Sequence, residues 1–319
     1  MSPFTKQKSA AVSAWGEVRL IQEIRRWLGT ATPRSPAGIG DDCATLAGSM
    51  RDQLLTVDPV IYGEHFDDNV PAKGVGAKLF NRNISDIAAM GGRPRAAVIA
   101  LALSDDVKIT WLREFYRSLA AIARLHHVPI IGGDIAHQPA GITATMTLIG
   151  EATEKRVLTR QGAAAEDWIF TTGKLGGSRL GWHWKFTPRL LEGQWLVARP
   201  DVRSMMDVSD GVAKDIWSLT PRGCRPALNA AAIPVSRSAR LAATTSQRTP
   251  LAHALTDGED YELLFTVNGS TDPAEFITAW RQRFRSKLSC IGQMRRKRSR
   301  RRDDDEIDLD SYHGFEHLR

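Results

Sequence analysis

Aspartates recur in this chain, most of them near glycine or serine: "GIGDD" (Asp41, Asp42), "TVDPV" (Asp58), "NISDIAAMGG" (Asp86), "IIGGD" (Asp134) and "DVSDG" (Asp207, Asp210). One aspartate in such a setting is an ordinary N-cap or turn residue. Gathered in one place, the set would repel itself unless cations met it. Hard oxygen ligands of this kind suit Mg²⁺, which is held by a few carboxylates together with substrate phosphates. Asn83 and Asp86 lie three apart and share a helix face, and Asp207 and Asp210 lie three apart at the mouth of a helix. The set therefore points to a multi-metal phosphoryl-transfer site. The common nucleotide cradles are missing from the sequence. There is no G-x-x-x-x-G-K-[ST], "GIGDDC" fails the G-x-G-x-x-G pattern at its last position, and no H-E-x-x-H occurs. No Ser-His-Asp or Cys-His pairing stands out either.

The elements that must carry these residues follow from periodicity. "EVRLIQEIRRWL" predicts a helix over 16–28 with Val18, Ile21, Ile24 and Leu28 on one face. "QLLTVDPVI" (53–61) reads as a strand. Residues 71–92 read as a helix, with Pro71 near its start and Gly91-Gly92 stopping it. "RAAVIALAL" reads as a buried strand, 108–126 as an amphipathic helix, and 128–134 and 142–152 as strands. The pattern then restarts. Residues 167–173 read as a strand, "SRLGWHWKF" as a helix, 207–220 as a loop entering a helix, and 261–267 as an alternating strand. A polar, small-residue stretch near 152–165 divides the chain. The expectation is an α+β protein in two domains, 1–152 and 153–319. Lys78 reads as a solvated helix lysine, His126-His127 as favouring a helix C-terminal dipole, and the nine tryptophans as core residues.

Bulk composition narrows the function classes. At 319 residues, 42% hydrophobic and 25% charged, the chain reads as soluble and globular. Its longest apolar run, "AAVIALAL", is too short to span a bilayer, and the N-terminus has no secretory pattern. Cys43, Cys224 and Cys290 have no paired spacing, which argues against disulfides and zinc and fits a reducing cytoplasm. Of the net charge of +7, the stretch "RRKRSRRR" followed by "DDDE" supplies a local excess. No aromatic residues interleave these arginines, so the stretch reads as a solvated loop rather than a nucleic-acid contact.

In order along the chain, "GIGDDCATL", "TVDPVIYGEHF", "NISDIAAMGGRP", "IIGGDIAHQP", "LIGEA", "DVSDGVAKDI" and "DGEDYELLFTV" resemble the thiamine-monophosphate kinase family. That family sits in the ATP-binding superfamily of aminoimidazole ribonucleotide synthetase, selenophosphate synthetase and a hydrogenase maturation factor. "GEDYELLF" is its most specific block, "YGEHF" supports it, and "YHGFEH" resembles its closing motif. The resemblance implies an aminoimidazole ribonucleotide synthetase-like fold. The N-terminal α/β domains pair as a homodimer with a β-barrel at the interface, and ATP lies between that domain and a C-terminal α/β domain. Asp42, Asp58, Asp86, Asp134 and Asp207 would hold several Mg²⁺ ions on the ATP phosphates, with Asp210 on a further metal and Thr56 adding an oxygen. Asp42, Asp86, Asp207 and Asp210 would carry the catalysis. Gly133, Asp134, Arg160 and Ser209 would contact the nucleotide. His65, Glu259 and Phe315 would contact thiamine monophosphate, Phe315 by stacking.

The implied chemistry suits these residues. The acceptor would be a phosphate oxygen, already anionic at neutral pH, so no strong general base is needed. The barrier is positioning plus repulsion between polyanions. Several positions depart from the family pattern. His137 stands where an arginine is expected, Val57 lacks a hydroxyl, Arg82 replaces an apolar residue, Gly177 replaces an aspartate and Asp257 a glycine. Two other functions remain open at this point. One is a relative acting on a different phosphorylated or acidic acceptor. The other is a non-catalytic nucleotide- or RNA-binding protein using the 295–302 arginines.

Overall fold

Two kinds of strand pattern build two sheets. The computed structural model describes residues 2–34, 37–39, 43–297 and 305–315. The chain divides into two compact units. One comprises Met1–Ile87 and Arg93–Ala152, the other Ala88–Gly92 and Thr153–Arg319.

The first unit runs α1 (Glu17–Leu28), β1 (Gln53–Ile61), α2 (Ala72–Ala89), β2 (Gly92–Leu103), α3 (Ile109–Leu125), β3 (Ile130–His137) and β4 (Ile142–Ala152). The strands order β1-β4-β2-β3, with β1 antiparallel to β4 and β3 parallel to β2 through the α3 crossover. Alternation decides what each face meets. Leu54 and Val60 of β1 are buried, as are their partners' neighbours Met146 and Leu148 of β4. Leu55 and Val57 point the other way and are 72% and 59% exposed. The helices cover the buried face. A Cβ at Gly150 would stand 2.8 Å from Ile87 Cδ1, and Gly76 lets α2 approach to where a Cβ would be 2.6 Å from the Phe115 carbonyl. Ser118 Oγ donates to the Lys73 carbonyl at 2.7 Å across the same helix pair.

Helix α1 is rotated from its expected face. Leu20, Ile24, Trp27 and Leu28 are buried, while Val18 is 72% exposed. Trp27 packs near Tyr116 of α3, with ring centroids 6.2 Å apart, and its large area outweighs that of Val18. Lys78 also departs from expectation. It is fully buried on α2, and its ammonium donates to the His65 carbonyl at 2.7 Å.

The second unit contains β5 (Trp168–Thr172), α4 (Trp182–Lys185), α5 (Leu190–Val197), β6 (Val202–Asp207), α6 (Val212–Leu219), β7 (Cys224–Leu228), α7 (Arg237–Ala243), α8 (Pro250–Thr256), β8 (Leu263–Val267), α9 (Pro273–Arg283) and β9 (Leu288–Arg296). Its sheet orders β6-β8-β5-β9-β7 with antiparallel neighbours. The strands are apolar on both faces because both are covered. Ile169, Met206 and Leu264 pack with Ile216 and Leu255 on one side. Phe170, Met205 and Phe265 pack with Leu196, Phe276 and Trp280 on the other. The segment read as one helix at "SRLGWHWKF" is a 3-10 turn, Ser178–Leu180, followed by the four-residue α4, because Gly181 interrupts it at φ 115°. Among the described residues no helix is long and apolar enough to cross a membrane.

Candidate active site

In the first unit, β1 and α2 bring the expected ligands side by side. Thr56 and Asp58 share the inner face of β1, in the middle of the strand rather than at its end. Thr56 Oγ1 donates to Asp86 Oδ2 in the last turn of α2. One turn earlier, Arg82 reaches back. Its guanidinium lies 3.1 Å from Asp58 Oδ1 and donates to the Pro59 carbonyl at 2.6 Å. The arginine that departs from the family pattern therefore has a specific place: it is buried and neutralises Asp58. Asn83, fully buried between them in sequence, donates from its side-chain amide to the Leu79 carbonyl at 2.9 Å and leaves Oδ1 without a hydrogen bond. Such an orphaned buried oxygen costs free energy unless a donor or cation meets it.

His65 lies in the turn after β1. Its Nδ1 accepts the Ile61 N–H at 3.2 Å, so that nitrogen carries no proton. Gly133 and Asp134 lie on the edge strand β3, opposite Ile99 and Ala100 of β2. Gly133 is required there, since a Cβ would stand 2.0 Å from the Ile99 carbonyl. Asp134 is exposed and sits three ladder steps from β1, about 14 Å at ordinary strand spacing. Next to it is a small apolar cavity of about 80 Å³ whose walls include Ile21, Ile24, Tyr116 and Ile130. Asp42 lies outside the described residues.

In the second unit Asp207 ends β6, buried, and Ser209 and Asp210 form the turn into α6. Both backbone N–H groups of that turn, Ser209 and Asp210, donate at 3.0 Å to one oxygen of Asp215, a residue of α6. Burial, aided by the nearby Asp210 charge and opposed by those two bonds, pushes the Asp215 carboxyl up to about 7. The "DGEDYE" block folds onto the same turn. Glu259 N–H donates to the Ser209 carbonyl at 2.8 Å and Tyr261 N–H to the Val208 carbonyl at 2.9 Å. Gly258 permits this approach, since a Cβ there would be 2.7 Å from the Ser209 carbonyl. Glu259 and Tyr261 both adopt left-handed backbone, at φ 54° and 51°, which is costly for residues bearing a side chain. The Phe186 ring stacks on Tyr261, centroids 4.1 Å apart, and His183 Nδ1 lies 3.6 Å from Glu259 Oε2. Arg160 is exposed, one residue after Thr159, whose carbonyl accepts the Met205 N–H of β6 at 2.9 Å. Phe315 lies against the Asp210 turn, its N–H donating to the Asp210 carbonyl at 3.0 Å. It also lines a cavity of about 710 Å³ with Arg179, Arg248, His253, Asp257 and Tyr312.

Several polar residues here carried no obvious signal. Asp257 and Asp260 accept the backbone N–H groups of Gly177 and Gly176, both at 2.8 Å. Asp257, where the family pattern has glycine, thus meets Gly177, where that pattern has aspartate. His253 precedes Asp257 by four residues, a spacing that places both on one face of α8. Its Nδ1 sits 2.9 Å from Asp257 Oδ2 and its Nε2 2.7 Å from Ser246 Oγ. A carboxylate can only accept, so Nδ1 carries the proton, and in the neutral ring Nε2 accepts from the serine. A Ser-His-Asp series therefore exists that the sequence did not betray. Arg248 also binds Asp257 at 3.1 Å, so the series fixes that carboxylate on the cavity wall. The flanks of the arginine tract are tied to acids: Arg295 pairs with Glu166, and Arg225 with Glu306.

Asp260 is wholly buried, and its Oδ2 has no hydrogen bond. Burial pushes its carboxyl well above the usual range, the Gly176 N–H pulls it back, and Glu262, Asp257 and Asp215 raise it further. The folded chain thus holds a proton that the unfolded chain releases near pH 4. Stability from this group is greatest in acid and falls as pH rises above that value, by up to about 1.4 kcal/mol per pH unit. Asp260→Asn should remove this decline above about pH 4, measured as urea midpoints. Parallel curves for variant and wild type would disprove it.

Among the described residues no group of three or more acidic, histidine or cysteine side chains is placed to share a metal ion. Thr56, Arg82 and Lys214 instead meet Asp86, Asp58 and Asp210 respectively. Carboxylates without cations need such partners, and the donor set is one of hard oxygens that fits Mg²⁺.

The model of the AIR synthase related protein N-terminal domain matches residues 40–152. A thiamine-monophosphate kinase from Rhodopirellula baltica is 35% identical over 245 residues, covering 74% of this chain and 77% of the relative. This chain belongs to the thiamine-monophosphate kinase family. The Escherichia coli K12 thiamine-monophosphate kinase is 32% identical over 88% of this chain and 91% of its own. Among solved structures, AaThiL complexed with AMPPCP and TMP superposes with a TM-score of 0.67 at 27% identity, covering 92% of this chain and 94% of that one. The fold is the α+β, aminoimidazole ribonucleotide synthetase-like fold of this family, with one sheet in each unit.

Proposed function

We propose that this chain transfers the terminal phosphoryl group of ATP to thiamine monophosphate, giving thiamine diphosphate in a Mg²⁺-dependent reaction. Family membership carries this reading, together with a relative of the same fold complexed with an ATP analogue and TMP. The interlocking of the Asp207–Asp210 turn with the Gly258–Glu259 block supports it. Bound Mg²⁺ would neutralise the phosphates and polarise the bond to be broken. Asp42, Thr56, Asp58, Asp86, Asp134, Asp207 and Asp210 are the assigned ligands. The 1–152 domain supplies the other metal ligands and Gly133 and Asp134 for the nucleotide, and the 153–319 domain supplies Asp207 and Asp210 for metal and Arg160 and Ser209 for the nucleotide. His65, Glu259 and Phe315 orient the acceptor. The acceptor oxygen is already anionic, so these residues need only hold it in line and exclude water. The test is turnover of labelled ATP with thiamine monophosphate against other phosphorylated or acidic acceptors. Labelled thiamine diphosphate is the expected product, and preference for another acceptor would refute the assignment.

The outward apolar stripe of β1 supports a homodimer formed through the first unit, since single exposed residues are common but Leu55 and Val57 are aligned on one strand face. Leu55→Asp should yield a monomer by sedimentation velocity while keeping the wild-type circular dichroism. A variant that stays dimeric would exclude this face. Its three unpaired cysteines support action in the cytoplasm.

A further inference from the structure

Lys214 stands one helical turn after Asp210 and makes two contacts at once. Its ammonium lies 2.7 Å from Asp210 Oδ2 and donates to the Phe315 carbonyl at 2.6 Å. Phe315 returns a bond, its N–H donating to the Asp210 carbonyl at 3.0 Å. The chain before it passes through a lane only glycine fits. A Cβ at Gly314 would lie 2.5 Å from Lys214 Cβ and 2.6 Å from the Asp210 carbonyl. Asp210 is held in turn by Asp215, which accepts its N–H at 3.0 Å. The closing segment therefore docks on the α6 entrance through one lysine, one glycine and one backbone pair.

We infer that Lys214 is a positioning residue that fastens Phe315 to the Asp210 turn, so that the ring facing the acceptor and the carboxylate facing the metal are held as one piece. The roles of Phe315 and Asp210 rest on the kinase reading; the fastening itself does not. An ammonium tethered on α6 is a built-in cation for Asp210, and its charge also acts on the buried Asp215. The same ammonium is the side-chain donor to the Phe315 carbonyl, and charge-assisted contacts of this kind are the strong ones. The Lys214 side chain is 38% exposed, so removing its charge should disturb geometry more than global stability.

The test uses the full chain with Lys214→Met, which keeps most of the apolar stem, and Lys214→Arg, which keeps the charge. In the metal-free protein, amide exchange in the 311–315 segment should speed up about tenfold or more in Lys214→Met, because the Phe315 carbonyl loses the ammonium that holds it and the Phe315 N–H then opens more often from the Asp210 carbonyl. In the assay, KM for thiamine monophosphate should rise about tenfold while KM for ATP stays within about twofold, and Lys214→Arg should recover most of both effects. Unchanged exchange at Phe315 overturns the fastening. A rise in both Michaelis constants together, or in neither, overturns the link to the acceptor. Should the wild type not use thiamine monophosphate at all, the kinase reading fails, and the exchange comparison still decides whether Lys214 holds the segment.

Discussion

Asp86→Asn is expected to lower kcat with thiamine monophosphate and MgATP by about two to three orders of magnitude, the size seen when a preorganised charge on transferring phosphates is lost. Asp86 sits in the last turn of α2, where the Thr56 hydroxyl donates to it from β1. Asparagine has the same shape, and its carbonyl oxygen can accept the same hydroxyl, so the β1–α2 contact survives. What disappears is the formal charge. The metal-free variant should therefore melt within about 2 °C of wild type. A metal-free protein that melts far lower, while retaining kcat at low temperature, would make Asp86 a structural residue and remove it from the catalytic set.

Arg189→Met carries the largest expected effect on stability, a loss of about 3–5 kcal/mol. The Arg189 guanidinium donates two bonds of 2.6 Å to Glu262, whose side chain is 1% exposed. Thr172 donates to the same carboxylate at 2.6 Å and accepts the Leu263 N–H at 2.8 Å, which ties the charge to β5 and β8. Removing the arginine leaves a buried charge with one neutral donor. Part of the penalty is desolvation of Glu262 rather than lost attraction, so Arg189→Met combined with Glu262→Gln should recover more than half of it. The measurement is the urea midpoint of each variant at constant slope. A single-variant loss below about 1 kcal/mol would mean that water reaches Glu262 and that the pair does not hold the site.

Local sequence determined a good deal. The run 53–61 was legible as β1 to the residue, because its alternation and flanks are local properties. Helix α2 was legible from Pro71 and the Gly91-Gly92 stop. The family was legible because spaced motifs survive in order. Other features depended on which surfaces meet. Four residues apart on one helix, Lys78 and Arg82 look alike as cations, yet one binds the His65 carbonyl and the other Asp58. The rotation of α1 turned on the packing of Trp27 near Tyr116. The Arg189–Glu262 pair spans 73 residues, and the Lys214–Phe315 contact spans 101. Nothing in the run "GEDYE" announces that Glu259 and Tyr261 must take left-handed backbone, since that strain is sustained by distant partners, among them the Val208 and Ser209 carbonyls and the Phe186 ring. Periodicity and turn chemistry act over a few residues and are written in the chain. The partner of a buried charge is chosen by whichever group the folded backbone delivers to it, and tertiary structure alone made that choice.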